Sequence, residues 1–428
     1  MFYDAAKRDH GLPQDPLKAL IVPRPIGWIS TMDAQGRVNL APYSFYNGVG
    51  EFPPMVYFST TGTYGDTPTK HSRMNAEQTG EFVVNMVSAA LAEQMNVTTT
   101  MVAFGVDELK LAGLTAVPCQ FVKPPRVKES PVALECKYWR TIEMPAEKGH
   151  EGKRGSVVFG QVVGIHIDDS IIKDGRIDTL AFKPVARLGY SEYTTTENVW
   201  RMRRPDDPRY QKAEVSIMFY DMTGRDHGGM QIPFTALVVP RPIGWISTVD
   251  GQGRVNLAPY SFYNAVSGSP PMVYFSTTGT YGDNPTKHSR RNAEETGEFV
   301  VNMVSAELAE QMNVTTTMVD YGIDEMKLAG LAPAPSSFVK PPRVARSPIA
   351  LECKYWKTVE MPVEEGREAH QATVVFGRVV GIHIDDAIVK DGRIDTLAFK
   401  PVARLGYSEY TTTENVWKMR RPDDPHYQ

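Results

Sequence analysis

Three short segments concentrate the groups that could hold a ligand. Asn39-Leu-Ala-Pro-Tyr-Ser-Phe-Tyr-Asn47 ends an apolar run in hydroxyls, an amide and aromatic rings. Phe58-Ser-Thr-Thr61 ends another in consecutive hydroxyls. Thr69-Lys-His-Ser-Arg-Met-Asn75 places a cation, a hydroxyl and an amide just before a helix-like start at Ala76-Glu-Gln78. Donors of this kind, next to the free N–H groups of a helix start, suit a phosphate, and the rings suit a planar body. Read bare, the same residues also describe a polar loop with Lys70 and Arg73 in water. Other chemistries are excluded more firmly. There is no G-x-S-x-G elbow, no H-E-x-x-H and no G-x-G-x-x-G after a strand, and Gly65–Lys70 lacks the glycine a phosphate-binding P-loop needs before its lysine. His10, His71 and His166 have no neighbours at ligand spacing, so no metal site is expected.

All three segments occur twice. Val22-Pro-Arg-Pro-Ile-Gly-Trp-Ile-Ser-Thr31 returns as Val239–Thr248, and the 217-residue register never slips. Residues 1–211 and 218–428 are two gapless copies, about 78% identical, joined by 212–217. That period is far longer than the roughly 20–50 residues of solenoid or propeller repeats, so each copy is a domain. Extended, the join reaches roughly 20 Å, which requires the end of copy 1 to lie near the start of copy 2.

The net charge of −4 and pI near 6.2 offer no basic field for nucleic acid. The small cluster Arg201-Met-Arg-Arg204, with its mate Lys418-Met-Arg-Arg421, is followed at once by Asp-Asp and reads as a solvated tail. Cys119, Cys136 and Cys353 form no C-x-x-C and read as buried reduced thiols. The first residues contain no apolar signal core, and no apolar run is long enough to span a membrane. A cytoplasmic protein without membrane partners is expected.

Short β-branched and aromatic runs at 26–31, 39–45, 55–60 and 81–87 predict strands. Helices are expected at 89–96 and at 107–112, the latter closed by Gly113. Strands return at 132–139 and 156–167, the last half-buried and bent at Gly160 and Gly164. Segment 145–155, where the copies differ most, reads as an exposed hairpin loop. This is a mainly β pattern with some α, fitting a small antiparallel barrel in each copy.

In order and over nearly the whole of both copies, the chain resembles the flavin reductase-like, FMN-binding split-barrel family. The matching segments are Arg24–Thr31, Asn39–Asn47, Pro53–Ser59, Lys70–Asn75, Thr79–Asn85, Gly160–His166 and Arg187–Tyr190. The resemblance implies two tandem split barrels that form a pseudo-twofold dimer within one chain, with each flavin site drawing on both copies. It further implies FMN as cofactor, NAD(P)H as electron donor, and an enzyme that reduces flavin or a flavin-linked acceptor. The alternative is an electron-transfer module without nicotinamide turnover. A monooxygenase partner and further oligomerisation are compatible with it.

By the same resemblance, Ser44, Phe45, Tyr46 and Asn47, with Ser59, Thr60 and Thr61, line the ring and ribityl chain. Lys70, Ser72 and Asn75, with Arg24, hold the phosphate. The second copy repeats these as Ser261, Phe262, Tyr263, Asn264, Ser276, Thr277, Thr278, Lys287, Ser289, Asn292 and Arg241. His166 and His383 are implied catalytic residues beside the flavin face. Where the family often has Lys-Asp-Thr, this chain has Lys-His-Ser at both sites. The copies also differ: the second keeps Ser267 and Arg291, where the first has Gly50 and Met74. A lost charge-assisted contact weakens binding by about tenfold or more, so copy 2 is expected to hold the better site.

Overall fold

The computed structural model describes residues 1–62, 67–205, 219–222, 233–279 and 286–423. The 212–217 join lies outside the described residues. Each copy supplies seven strands of an eight-stranded antiparallel sheet, whose eighth strand comes from the other copy. In the first, the path runs Val38–Tyr43, Gly27–Met32, Glu81–Met86, Val132–Glu143, Gly155–Ile167, Pro54–Thr61, Tyr46–Glu51. The two ends of that path are joined by Ser44 and Phe45 alone. Laid flat, seven strands about 4.8 Å apart would separate those ends by about 29 Å. Three residue steps span only about 11 Å, so the sheet must roll into a barrel split between its first and last strands.

The expected strands are present with small shifts of boundary. Gly155–Ile167 carries register breaks against Val132–Glu143 near Gly164 and Gly160. A Cβ on Gly160 would lie 2.4 Å from the Phe82 ring, so only glycine lets that ring pack against the strand. This strand is almost wholly buried rather than half-buried, because its outer face meets the other copy. Tyr46–Glu51, which contains Asn-Gly-Val-Gly, reads locally as a loop, yet it pairs with Pro54–Thr61 through a hairpin. The helix expected from Ala76 begins earlier, at His71, and runs to Thr79, with Gly80 in the left-handed conformation as its C-cap. The 89–96 region is a 3-10 turn followed by the helix Ala92–Val97. Glu108–Leu111 is capped by the Asp107 carboxylate, which accepts from the Lys110 N–H, and Gly113 follows at φ 66°.

The two copies share a core. Val49, Met55, Tyr57, Val157 and Phe159 pack in one cluster with Val266, Met272, Tyr274, Val374 and Phe376. Tyr57 and Tyr274 meet edge to face at 4.9 Å, and each hydroxyl donates to a backbone carbonyl of the other copy. Asn47 Nδ2 donates to the Ser261 and Tyr263 carbonyls, and Asn264 Nδ2 to those of Ser44 and Tyr46, all at 3.1 Å. Edge strands are exchanged as well. Phe2–Asp4 adds to the second sheet beside His383, and Phe219–Asp221 adds to the first beside His166. This is the packing of an obligate dimer, achieved within one chain, as the resemblance implied.

Cys136 and Cys353 are buried, but Cys119 is only partly so, and all three thiols are free. Among the described residues no helix is long and apolar enough to cross a membrane.

Candidate functional site

Among the described residues, each copy opens into a large cavity. The first, of about 790 Å³, lies where Pro54–Thr61, the start of His71–Thr79 and the Ser44–Phe45 connection converge. The second, of about 470 Å³, repeats this arrangement with Ser261, Phe262, Lys287 and Ser289.

Lys70 is the N-cap residue of its helix, so it stands at the positive end of that helix and lines the cavity there. Burial, with Arg421 adding, lowers Lys70 to about 8; burial and Arg204 do the same to Lys287. Ser72 Oγ donates to Asn39 Oδ1 at 2.8 Å, and Asn39 Nδ2 donates to Glu108 Oε1 at 2.7 Å. Glu108 also accepts from the Leu40 N–H, and burial raises its carboxyl above the usual range. Asn256, Ser289 and Glu325 repeat the chain in the second cavity.

Of the residues expected from sequence, Arg24, Ser44, Phe45, Ser59, Thr61, Lys70 and Ser72 line the first cavity. Their counterparts Arg241, Ser261, Phe262, Ser276, Thr278, Lys287 and Ser289 line the second. The others serve elsewhere. Tyr46 and Tyr263 are buried core side chains, and Asn47 and Asn264 tie the two copies together. Thr60 and Thr277 are buried and outside the cavity lining. Asn75 and Asn292 donate inward to Thr31 and Thr248 at 3.1 Å. Arg24 lines the cavity, but it spends its terminal nitrogens on the Lys18, Ile21 and Leu188 carbonyls. Its buried Nε has no hydrogen-bond partner, leaving one donor for a ligand.

His166 and His383 line neither cavity. Each ring lies 2.6 Å from a buried carboxylate, Glu135 or Glu352, which also accepts two backbone N–H groups of a neighbouring loop. The Phe2 ring packs on His383 at 4.6 Å. These histidines lie beside the exchanged edge strands, and His166 has Cys119 as well as Glu135 within 4.8 Å, neighbours that the sequence spacing did not suggest.

The expected advantage of copy 2 also dissolves. Arg291 is exposed, pairs with Glu295 at 2.8 Å and lies over the Tyr321 ring. Copy 1 has Met74, Gln78 and Phe104 at these positions, so one surface network replaces another. Ser267 is buried against Gly155 at the interface between copies. Neither Arg291 nor Ser267 lines the second cavity.

The structure adds residues that local motifs did not reveal: Thr98–Thr100, Glu108, Arg187 and Arg421 in the first cavity. One signal was available. Residues 181–200 recur unchanged at 398–417, and 91–100 at 308–317, while surface loops diverge. The arginines of the Lys418–Arg421 and Arg201–Arg204 tails are exposed, but the tails are not simply solvated: Met419 is buried and Met202 partly so, and each tail crosses to the other copy and reaches the mouth of its cavity.

The description of the flavin reductase like domain matches this chain twice, over residues 19–184 and 236–401. The chain belongs to that family. An Aquifex aeolicus relative of uncharacterised function is 37% identical over 185 residues, covering 43% of this chain and 90% of that protein. A Halalkalibacterium halodurans relative, also uncharacterised, is 38% identical and covers 43% and 87%. Among solved structures, nitrilotriacetate monooxygenase component B from Bacillus cereus is 29% identical over 43% of this chain and 90% of its own, with a TM-score of 0.40.

The two flavin reductase like domains do not present identical cavities. Glu51 of the first copy reaches the second cavity and faces Arg241, whereas its counterpart Gly268 lines the first. Lys18 lines the first cavity, and Thr235 takes its place in the second. Glu51→Gln is expected to strengthen anion binding in the second cavity by about threefold, the scale of one half-exposed charge. The first cavity should be unchanged in a two-site titration.

Proposed function

We propose that each cavity binds FMN and that the chain is an oxidoreductase, passing reducing equivalents from NAD(P)H to the flavin or a flavin-linked acceptor. The observation that carries this reading is the cavity's polar end. A half-buried lysine stands at the N-terminus of the helix His71–Thr79, beside Arg24, whose Nε has no hydrogen-bond partner, in a chain of the flavin reductase like family. That donor set fits a phosphate monoester, and Phe45 and Tyr43 offer faces for a planar ring.

FMN would supply the hydride chemistry. The chain's residues bind and orient: Lys70 and the helix start hold the anionic end, while Ser44, Ser59 and Thr61 offer hydroxyls along the wall. No nucleophile or acid–base pair is required of the protein, and Glu108, one of the carboxylates lining the first cavity, is committed to Asn39 and Leu40. The residues named here are our assignment. A reading as an electron-transfer module, inert to nicotinamide, rests on the same cavities.

The purified chain is expected to be yellow, to bind two FMN, and to bleach anaerobically with NADH or NADPH. Yellow protein inert to both nucleotides would favour the electron-transfer reading. Absence of flavin affinity would refute both.

A further inference from the structure

The tails beyond the last long strands are each fastened to the opposite copy. Trp417–Lys418 pairs with Glu192–Thr195 of the first copy. Trp417 stacks on Tyr193 at 5.2 Å, and its Nε1 donates to Thr195 Oγ1. Met419 is buried in the first copy's cluster around Trp28 and Leu91, its N–H bonded to the Ser191 carbonyl. Asn96 Nδ2 holds the Arg420 carbonyl at 2.6 Å. The next residue, Arg421, therefore has little freedom but to stand at the mouth of the first cavity, which it lines together with Lys70. The first copy's tail follows the same course, with Met202 partly buried where Met419 is buried. Trp200 stacks on Tyr410, Met202 N–H bonds the Ser408 carbonyl, Asn313 holds the Arg203 carbonyl at 2.7 Å, and Arg204 lines the second cavity with Lys287.

We infer that the anion clamp of each cavity is completed in trans: Arg421 of the second copy works with Lys70 in the first cavity, and Arg204 of the first copy with Lys287 in the second. The ligand group it takes is a phosphate monoester, whose charge lies between two cations that otherwise repel one another. The electrostatics agree in direction, since Arg421 depresses Lys70 and Arg204 depresses Lys287. The identity of the flavin as that ligand rests on the proposed function; the crossing itself does not.

Two measurements separate these claims. In a Lys287→Ala background the first cavity is left as the strong FMN site. Arg421→Ala there is expected to weaken it on the order of fivefold, the scale of one exposed charge-assisted contact, while Arg204→Ala leaves it unchanged. The reverse pattern, or no effect from either arginine, would overturn the inference. The second measurement needs no flavin: the pH dependence of amine acylation at Lys70 and Lys287, resolved by peptide mass. Arg421→Ala should raise the titration of Lys70 alone and Arg204→Ala that of Lys287 alone. Equal shifts at both lysines, or a shift at the lysine of the arginine's own copy, would refute the crossing even in protein that takes up no FMN.

Discussion

Replacing Lys70 and Lys287 together by alanine is expected to weaken FMN binding by about tenfold to a hundredfold at each cavity, the worth of a hydrogen bond to a charged group. The wild-type affinity should carry a pH signature. Both lysines titrate near 8 in the ligand-free chain, lowered from 10.5 by burial and by the opposing arginine. Below pH 8 they are charged and hold the anion. As pH rises through 8 the ligand-free lysines lose their protons, and affinity falls by up to tenfold per pH unit until the titration of the complex is passed. Stability moves the other way. Between about pH 8 and 10.5 the unfolded chain binds more protons at these positions than the folded one, so their contribution makes stability rise with pH. Among the described residues, the other charged side chains lining the first cavity are Asp15, Lys18, Arg24, Glu108, Lys153, Arg187 and Arg421. The Lys70→Ala, Lys287→Ala chain should therefore lose both slopes relative to wild type, measured by flavin titration and by denaturant unfolding across pH 7–10. Retention of the affinity slope in that variant would assign it to another group.

Such an outcome bears on how much of the site could be read without coordinates. The lysine, the serine two residues on and the strand-end hydroxyls are neighbours in sequence, and local pattern found them. What escaped depends on long-range placement. Tyr46 and Asn47 belong to the same motif as Ser44 and Phe45, but strand alternation turns successive side chains to opposite sides. The motif therefore divides between cavity, core and interface. His166 ends a strand beside a glutamate, an arrangement that suits a catalytic base as well as a structural ion pair. The structure places it 2.6 Å from Glu135 and outside the cavity lining, a long-range arrangement that the local sequence does not carry. The tail arginines were invisible for a different reason. Nothing local distinguishes a solvated Arg-Arg-Pro-Asp from one carried across a pseudo-twofold axis by a stacked tryptophan.

The fold was more legible because repeat, alternation and turns all pointed the same way. Of the seven strands on the first copy's sheet path, the one missed, Tyr46–Glu51, has weak intrinsic preference and is stabilised by pairing with Pro54–Thr61 and by the other copy. Copy comparison also misled where it stopped at single positions. Met74 and Arg291 look like the loss of a phosphate ligand until Phe104 and Tyr321 are placed beside them.

The interface between copies supplies the largest expected stability effect. Asn264 is fully buried, and its Nδ2 donates to the Ser44 and Tyr46 carbonyls at 3.1 Å each, while its Oδ1 accepts the Ala265 N–H. Alanine there orphans two carbonyls and one N–H in a space closed to water, each costing about 1–3 kcal/mol if nothing relaxes. A net loss of about 2–4 kcal/mol is expected for Asn264→Ala, read as a fall in the denaturant midpoint. Asn47→Ala should match it, because Asn47 makes the mirror-related bonds to Ser261 and Tyr263. The two losses should fall short of additive, since both residues hold the same pair of connections together. Arg291→Met, which restores the first copy's residue at an exposed position, should change stability by less than about 0.5 kcal/mol and leave flavin affinity untouched. A further consequence follows from where the carbonyls lie. Ser44 and Phe45 form one wall of the first cavity, so Asn264, in the second copy, positions a wall of the first site. Asn264→Ala should therefore weaken the first cavity more than the second, and Asn47→Ala the second more than the first. Equal weakening of both sites by either variant would mean that the asparagines stabilise the whole chain without shaping either cavity.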